Sequence, residues 1–389
     1  MNDVYFDHAA TTPMDPEVIK TINYYMKNYY GNPSSIYETG QEANNELQKA
    51  RQSLADFINA ADFREIIFTS GGSESDNLAI KGTALAYQDK GNHIITTKIE
   101  HHAVLHTCEY LEKHHGFEVT YLDVDEQGFV SLSDLKDAVQ EETILVSIMT
   151  ANNEIGTIQP IQAIGDYLKE KNILFHTDAV QALGQMAVDV QKMNIDLLSA
   201  SAHKLYGPKG VGILYKKKGT KLVPQINGGA QERNMRAGTE NLPGIMGFKK
   251  AVEIIKETRK TKVEKNTYLR DKMIEGIENN IDKVMLNGPR GNKRLSNNVS
   301  FCFKFVEGES VLLNLDMIGI AASSGSACAS GSVDPSHVLL AIGRDRTTAR
   351  GSIRLSLGQD NTEEDVDFLI DKLPGIIEKI RAMSPLNED

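Results

Sequence analysis

Between residues 65 and 215 the chain repeats a single pattern, a short apolar run followed by a longer amphipathic one. Residues 65–69 read as a strand and 74–87 as a helix. Residues 93–97 read as the next strand, and 103–113 as a helix with Val104, Leu105, Cys108 and Leu111 along one face. Strand 118–122, helix 133–139, strand 143–149, helix 161–169 and strand 173–177 continue the series. Alternation sustained this long requires βαβ units, hence an α/β fold with a mostly parallel sheet and helices on both faces. With 389 residues, a single small core is exceeded and a second domain is expected. The texture changes past Gly244. A charged amphipathic helix over about residues 245–279 reads as a connector. Strand 299–305, helix 308–315, a Ser/Gly-rich loop at 323–332 and strand 352–357 then form a smaller α+β domain.

In an open α/β sheet, ligands sit outside the carboxyl ends of the strands. Three strand ends here carry unusual chemistry. The first is Thr69-Ser70-Gly71-Gly72-Ser73-Glu74-Ser75-Asp76, a glycine turn into a helix, with Ser73 expected to cap it and Asp76 three residues on. Free N–H groups and the helix dipole would make this an anion site, although a plain capped helix explains the pattern equally well. The second is His176-Thr177-Asp178-Ala179-Val180-Gln181. An acid ending a buried strand is costly unless it meets a positive partner, and a protonated pyridine nitrogen is one. The third is Ser201-Ala202-His203-Lys204, after the apolar run 195–200. Desolvation and neighbouring cations lower a lysine pKa, and a neutral lysine can form a Schiff base. Alone, Lys204 also reads as a solvated surface charge. An anion cradle, a pyridinium partner and a lysine in that order point instead to a pyridoxal phosphate site.

Several classes of function are disfavoured. A net charge of -11 argues against direct nucleic-acid binding, which needs clustered positive charge. The basic run Lys216-Lys217-Lys218 follows strand-like residues 211–215 and reads as a solvated strand end. No stretch approaches the roughly 18 apolar residues that span a bilayer, and residues 1–5 lack the features of a signal peptide. Cys108, Cys302 and Cys328 form no CxxC pair, which suits a reducing cytoplasm and no disulfides. The histidines show no metal-site spacing, so no metal is expected.

Taken together, Tyr5-Phe6-Asp7-His8-Ala9-Ala10-Thr11-Thr12-Pro13, Gly31-Asn32-Pro33-Ser34-Ser35, Asn152-Asn153-Glu154-Ile155-Gly156, Arg236-Ala237-Gly238-Thr239-Glu240-Asn241 and Ser324-Gly325-Ser326-Ala327-Cys328 carry a resemblance along essentially the whole chain. The sequence resembles the cysteine desulfurases of the NifS/IscS-like group, in class V of the fold-type I pyridoxal phosphate enzymes. The resemblance implies a large cofactor domain over 15–257 with a seven-stranded sheet. It implies a smaller domain from 1–14 and 258–389 that carries the catalytic cysteine. It further implies that Gly72, Ser73, Ser201 and His203 hold the phosphate of pyridoxal 5'-phosphate, with Lys204 as its anchor. Asp178 would pair with the ring nitrogen, Gln181 with the ring hydroxyl, and Asn153 would lie beside ring and substrate. His101 would stack on the ring; an imidazole there can also relay protons, although a histidine at a strand end is by itself a common polar loop residue. Thr239 would reach the phosphate of a neighbouring subunit, implying a homodimer. Arg354 would clamp the substrate carboxylate, where a surface ion pair is the plainer alternative.

Cys328 bears on the reaction. Its small polar flank, residues 321–332, suits an exposed, travelling thiol, whereas Cys108 and Cys302 sit in apolar patterns and read as inert core. The implied chemistry removes sulfur from L-cysteine, releases alanine and leaves a persulfide on Cys328. The loop around it would act as a flexible tether that carries sulfur to an acceptor protein. The ending at 383–389 lacks the docking tail usual in iron–sulfur-assembly relatives. A tRNA-thiolating acceptor (a tRNA 2-thiouridylase) is therefore expected ahead of an iron–sulfur scaffold. Two other readings remain: an aminotransferase or lyase on the same scaffold, and a non-catalytic sulfur carrier. Replacing Cys328 with Ser separates them. A desulfurase keeps its yellow cofactor absorbance and loses sulfide release, an aminotransferase keeps its rate, and a carrier shows no such absorbance at all.

Overall fold

The computed structural model of the chain describes residues 4–324 and 335–383. The chain enters through β1 (Val4–Tyr5) and two helices, α1 (Pro16–Asn28) and α2 (Glu38–Phe57). The alternation expected from residue 65 then follows: β2 (Ile66–Thr69), α3 (Gly72–Tyr87), β3 (His93–Thr97), α4 (His102–His115), β4 (Glu118–Leu122) and α5 (Leu132–Ala138). It continues with β5 (Thr143–Ser147), α6 (Ile161–Lys171), β6 (Leu174–Asp178), β7 (Leu197–Ser201) and β8 (Gly212–Lys216). A single turn, α7 (Gln231–Asn234), precedes the long α8 (Leu242–Asn280). The remainder comprises β9 (Val284–Leu286), β10 (Asn298–Phe303), α9 (Gly308–Asp316), β11 (Ile320–Ala321), α10 (His337–Ala341), α11 (Arg346–Arg350), β12 (Ser352–Ser356) and α12 (Glu363–Met383). Helices α1, α2 and α12 lie outside the stretches read from the sequence pattern.

Strands β2 to β8 form a seven-stranded sheet in the order β2-β8-β7-β6-β5-β3-β4. Strands β4, β3, β5, β6 and β7 are parallel, and only β8 opposes its neighbours. Every residue of β3, β5 and β7 is buried, as a sheet covered on both faces requires. Successive strand residues point to opposite faces. Ile95, Val146, Phe175, Leu198 and Ile213 accordingly enter one core, while Ile94, Leu145, Leu197 and Leu214 enter another. The Lys216–Lys218 run closes β8, where exposed Lys217 pairs with Asp196 at 2.9 Å.

The chain steps outward from β3 to β4, then returns to place β5 on the other side of β3. That reversal opens a crevice at the carboxyl ends of the strands. A separate core surrounds the antiparallel sheet β12-β10-β9. Helix α8 serves both parts: Leu242 to Ile255 pack into the first core, and Leu269 to Ile277 into this later one. The N-terminus joins the later part through β1, which pairs in parallel with β11.

The free edge of β2 is sealed by an ion pair. Arg51 and Glu232 meet through two bonds of 2.6 and 2.7 Å with both side chains 2% exposed. Glu232 also accepts the Phe68 N–H at 2.9 Å, and Arg51 donates to the Ile66 carbonyl at 2.6 Å. Glu232, Arg233 and Asn234 all adopt left-handed φ values of 46°, 58° and 64°, which side chains disfavour unless the surroundings hold them. The ion pair supplies that hold. Arg51→Ala, which strands the Glu232 carboxylate, is expected to destabilise the protein by about 3–5 kcal/mol, seen as a lower urea midpoint. A midpoint equal to wild type would show that the edge is held by other contacts.

Candidate active site

A cavity of about 310 Å³ opens at the carboxyl ends of β5, β6 and β7. Gly72, Ser73 and Asp76 enter it from the first turns of α3, and His101 from the turn after β3. The segment after β5 contributes Met149, Ala151 and Asn153, and the end of β6 contributes Asp178, Val180 and Gln181. Ser201, His203 and Lys204 follow from the end of β7, and Arg354 from β12. Ala9 and Ala10 close the remaining side. Thr239 is exposed and does not line this cavity. Cys328 lies outside the described residues.

Helix α3 departs from the expected cap. It starts at Gly72, no side chain caps it, and Ser73 lies inside its first turn. Asp76, expected beside Ser73 as a capping partner, is 1% exposed and faces the cavity. The entry is tied from the opposite direction: Glu74 accepts the Ser70 N–H at 2.8 Å and pairs with Arg236 at 2.9 Å. A two-glycine turn lets the helix begin two residues earlier than a Ser73 cap would. Gly72 is required for a second reason. A Cβ there would lie 2.7 Å from Val180 Cγ2, closing the space above the helix N-terminus. That space, with the hydroxyls of Ser73 and Ser201, the His203 ring and the dipole of a 16-residue helix, is suited to a phosphate-sized anion.

At the other end, Asp178 accepts the Val180 N–H at 2.8 Å. Burial raises its pKa, while His101 and Lys204 draw it down. His101 caps the N-terminus of α4, where its Nδ1 accepts the Ala103 N–H at 3.1 Å and so leaves the ring proton on Nε2. Burial lowers the His101 pKa, against the pull of Asp178. Lys204 Nζ donates to the carbonyls of Ala9 and Ala10 at 2.5 and 2.6 Å. The Ala9 carbonyl also takes a bond from Gln181 Nε2 at 2.9 Å. His203 is held through its carbonyl, which accepts the Thr12 N–H and hydroxyl, and its Nδ1 lies 3.2 Å from the Thr11 hydroxyl. Burial, with Lys204 nearby, pushes this imidazole down to about 4, so it is neutral at ordinary pH.

Arg354 is buried with its fork aimed into the cavity. Nη1 donates to the Asn153 carbonyl at 3.2 Å and Nη2 pairs with Asp7 at 2.9 Å. Its backbone pairs with Ser323 in an antiparallel bridge. On the far side of the undescribed stretch 325–334, the Ser336 hydroxyl donates to the Glu154 carboxylate and His337 Nε2 lies 2.9 Å from the Glu100 carbonyl. Both flanks of the segment carrying Cys328 are thus bonded to residues beside the cavity.

Three features of the site escaped sequence reading. One is the Ala9–Ala10 wall, whose small residues fall in the family-like N-terminal stretch. Another is Asp76, whose signal was its helical register with the buried Ile80 and Thr83. The last is Glu100, fully buried, whose carboxylate accepts the Thr97 hydroxyl and the Met149 N–H. Burial pushes Glu100 up to about 8. The folded protein therefore keeps a proton that the unfolded chain releases above its ordinary 4.5. The stabilisation is full below pH 4.5 and is lost as pH rises through 8. Relative to Glu100→Gln, wild-type stability should fall by up to about 1.4 kcal/mol per pH unit across that window. Parallel urea-stability profiles for the two proteins would disprove a neutral Glu100.

Comparison with known proteins agrees with the fold. The aminotransferase class-V family matches residues 4–369. A Clostridium botulinum protein named cysteine desulfurase IscS is 57% identical over 387 residues, covering 99% of this chain and 97% of its own. A solved NifS-like protein superposes with a TM-score of 0.90 at 41% identity, covering 97% of this chain and all of that one. Another structure, described as SspA in complex with cysteine, gives 0.81 at 39% identity over 91% of this chain and 98% of its own. This chain therefore belongs to the class-V aminotransferase family, in its NifS/IscS-like group.

Proposed function

We propose that the protein is a cysteine desulfurase that uses pyridoxal 5'-phosphate to move sulfur from L-cysteine to Cys328. The observation that carries this reading is the convergence of Lys204, Asp178 and Arg354 on one cavity that has an anion cradle at its far end. When bound, the cofactor supplies an aldehyde for an amine and a ring that stores the negative charge left on the substrate Cα. Gly72, Ser73, Ser201 and His203 hold its phosphate, Asp178 the proton on its ring nitrogen, and Gln181 its ring hydroxyl. His101 and Asn153 cover the ring and substrate. Lys204 accepts the Cα proton at Nζ, and Arg354 takes the substrate carboxylate in place of Asp7.

The Cys328 thiolate then attacks the substrate sulfur. A sulfur–sulfur bond forms and the carbon–sulfur bond breaks, its electron pair remaining on the side-chain carbon, which takes a proton; Lys204 returns a proton to Cα, and the product is L-alanine. The anchored flanks at Ser323 and Ser336 support this role for the segment between them. The persulfide passes to an acceptor protein, a tRNA 2-thiouridylase or an iron–sulfur scaffold, in the cytoplasm. A homodimer completes the site, with Thr239 reaching the partner's phosphate. Exposed Tyr30, at 83%, and Ile36, at 94%, are apolar surface that such an interface would cover. The two units divide near residue 257, with residues 1–14 joining 258–389, a reading supported by the two cores that α8 enters.

The test supplies full-length protein with pyridoxal phosphate, L-cysteine and a thiol reductant that releases the persulfide sulfur as sulfide, and follows alanine and sulfide together. Equal release of the two is expected, and an absence of alanine would refute the reading. Arg354→Lys removes the two-pronged bond, worth about 1.5–3 kcal/mol, so KM should rise about 10- to 150-fold with cofactor absorbance unchanged. An unaltered KM would take the carboxylate clamp away from Arg354.

A further inference from the structure

Asp76 is a buried acid in the cavity with no part in the reaction described so far. It is 1% exposed and stands in the first turns of α3. Its Oδ1 has no hydrogen-bond partner among the described residues and lies 3.7 Å from His176 Nε2. His176 precedes Asp178 by two residues on β6, so both side chains emerge on the same face of the sheet. The His176 ring is held between two hydroxyls, with Ser147 Oγ 2.8 Å from Nδ1 and Ser199 Oγ 3.0 Å from Nε2. Burial pushes this imidazole down to about 3, so it offers Asp76 no positive charge.

The other titratable groups facing Asp76 are Asp178 at the end of β6 and Glu100 after β3, both acids. Two buried carboxylates sharing one site do not both ionise; one keeps its proton. Asp178 has the Val180 N–H to favour its ionised form, and Lys204, with His101 when protonated, pulls the same way. For Asp76 the one opposing pull among the described residues is the Ser199 hydroxyl, and burial together with Asp178 raises its pKa. The asymmetry decides which acid is neutral.

We propose that Asp76 is a positioning residue for Asp178: it holds a proton, fixed beside the Ser199–His176–Ser147 chain, so that the cavity floor presents one carboxylate to a ring nitrogen instead of two. The positioning half of this rests on the cofactor reading above; the proton on Asp76 does not. Two measurements on the full-length protein separate them. Without cofactor at neutral pH, infrared spectra should show a carboxylic-acid carbonyl band that Asp76→Asn lacks. Identical spectra would overturn the proposal whatever the cofactor does.

With pyridoxal phosphate added, Asp76→Asn stays uncharged and able to donate. It should keep the wild-type pH profile of cofactor absorbance. Asp76→Leu keeps the branched shape, with bulkier methyl groups and no donor, and should displace that profile by about one pH unit, a tenfold change in proton affinity. A displaced profile in Asp76→Asn would mean that Asp76 is ionised, and an undisplaced one in Asp76→Leu that it does not act on Asp178. Either result overturns the positioning role. If wild type binds no pyridoxal phosphate, the cofactor reading and the positioning role fall together, while the infrared band still decides the proton.

Discussion

The site is organised around the cost of burying acids at the carboxyl ends of parallel strands. Asp76, Glu100 and Asp178 are all nearly or fully enclosed, and the cations acting on Asp178 are Lys204 and a His101 whose charged form burial disfavours. An unpaired buried carboxylate is expensive, so such a cluster survives only if protons are retained or a positive ligand arrives. Glu100 solves the problem locally, with a hydroxyl and a backbone N–H on one oxygen and a raised pKa. Asp178 is different. Its single backbone donor and its place on the cavity floor leave a carboxylate prepared for a protonated ring nitrogen.

The N-terminal segment links this chemistry to the rest of the molecule. Asp7 pairs with Arg354, the Ala9 and Ala10 carbonyls accept from Lys204 Nζ, and Thr11 and Thr12 hold His203. The same segment belongs to the later core through β1 and a bridge from Asp7 to Ser356. A short stretch thus spans both cores and touches both the cofactor-anchoring and carboxylate-binding candidates. Its own backbone carbonyls do much of the work, which is why small alanines serve there. A bulkier pair would fill the cavity that their carbonyls border.

Much of this was legible in advance, for identifiable reasons. Asp178 and Lys204 could be read because each ends an apolar run, and a charged group at the end of a buried strand has few ordinary explanations. The helices and strands from 65 to 215 were legible because their hydrophobic periods differ so clearly. Ser73 was misread because a capping pattern is local: the motif cannot register that Gly71 and Gly72 start the helix sooner, or that Asp76 turns inward. Arg354 could be named by resemblance, but its resting partnership with Asp7 joins residues 347 apart in the chain, beyond the reach of any local pattern.

Amino-acid order alone dictated the α/β alternation, the parallel sheet that follows from it and the types of side chain at its strand ends, because periodicity and burial cost act within a few residues. The tertiary structure decided which of those side chains meet. Strand order placed the crevice between β3 and β5, brought Arg354 from the later core opposite Lys204, and set Asp76 beside Asp178. Proton affinity depends on what lies within several ångströms through space, so the charges of these acids became defined only when the chain had folded.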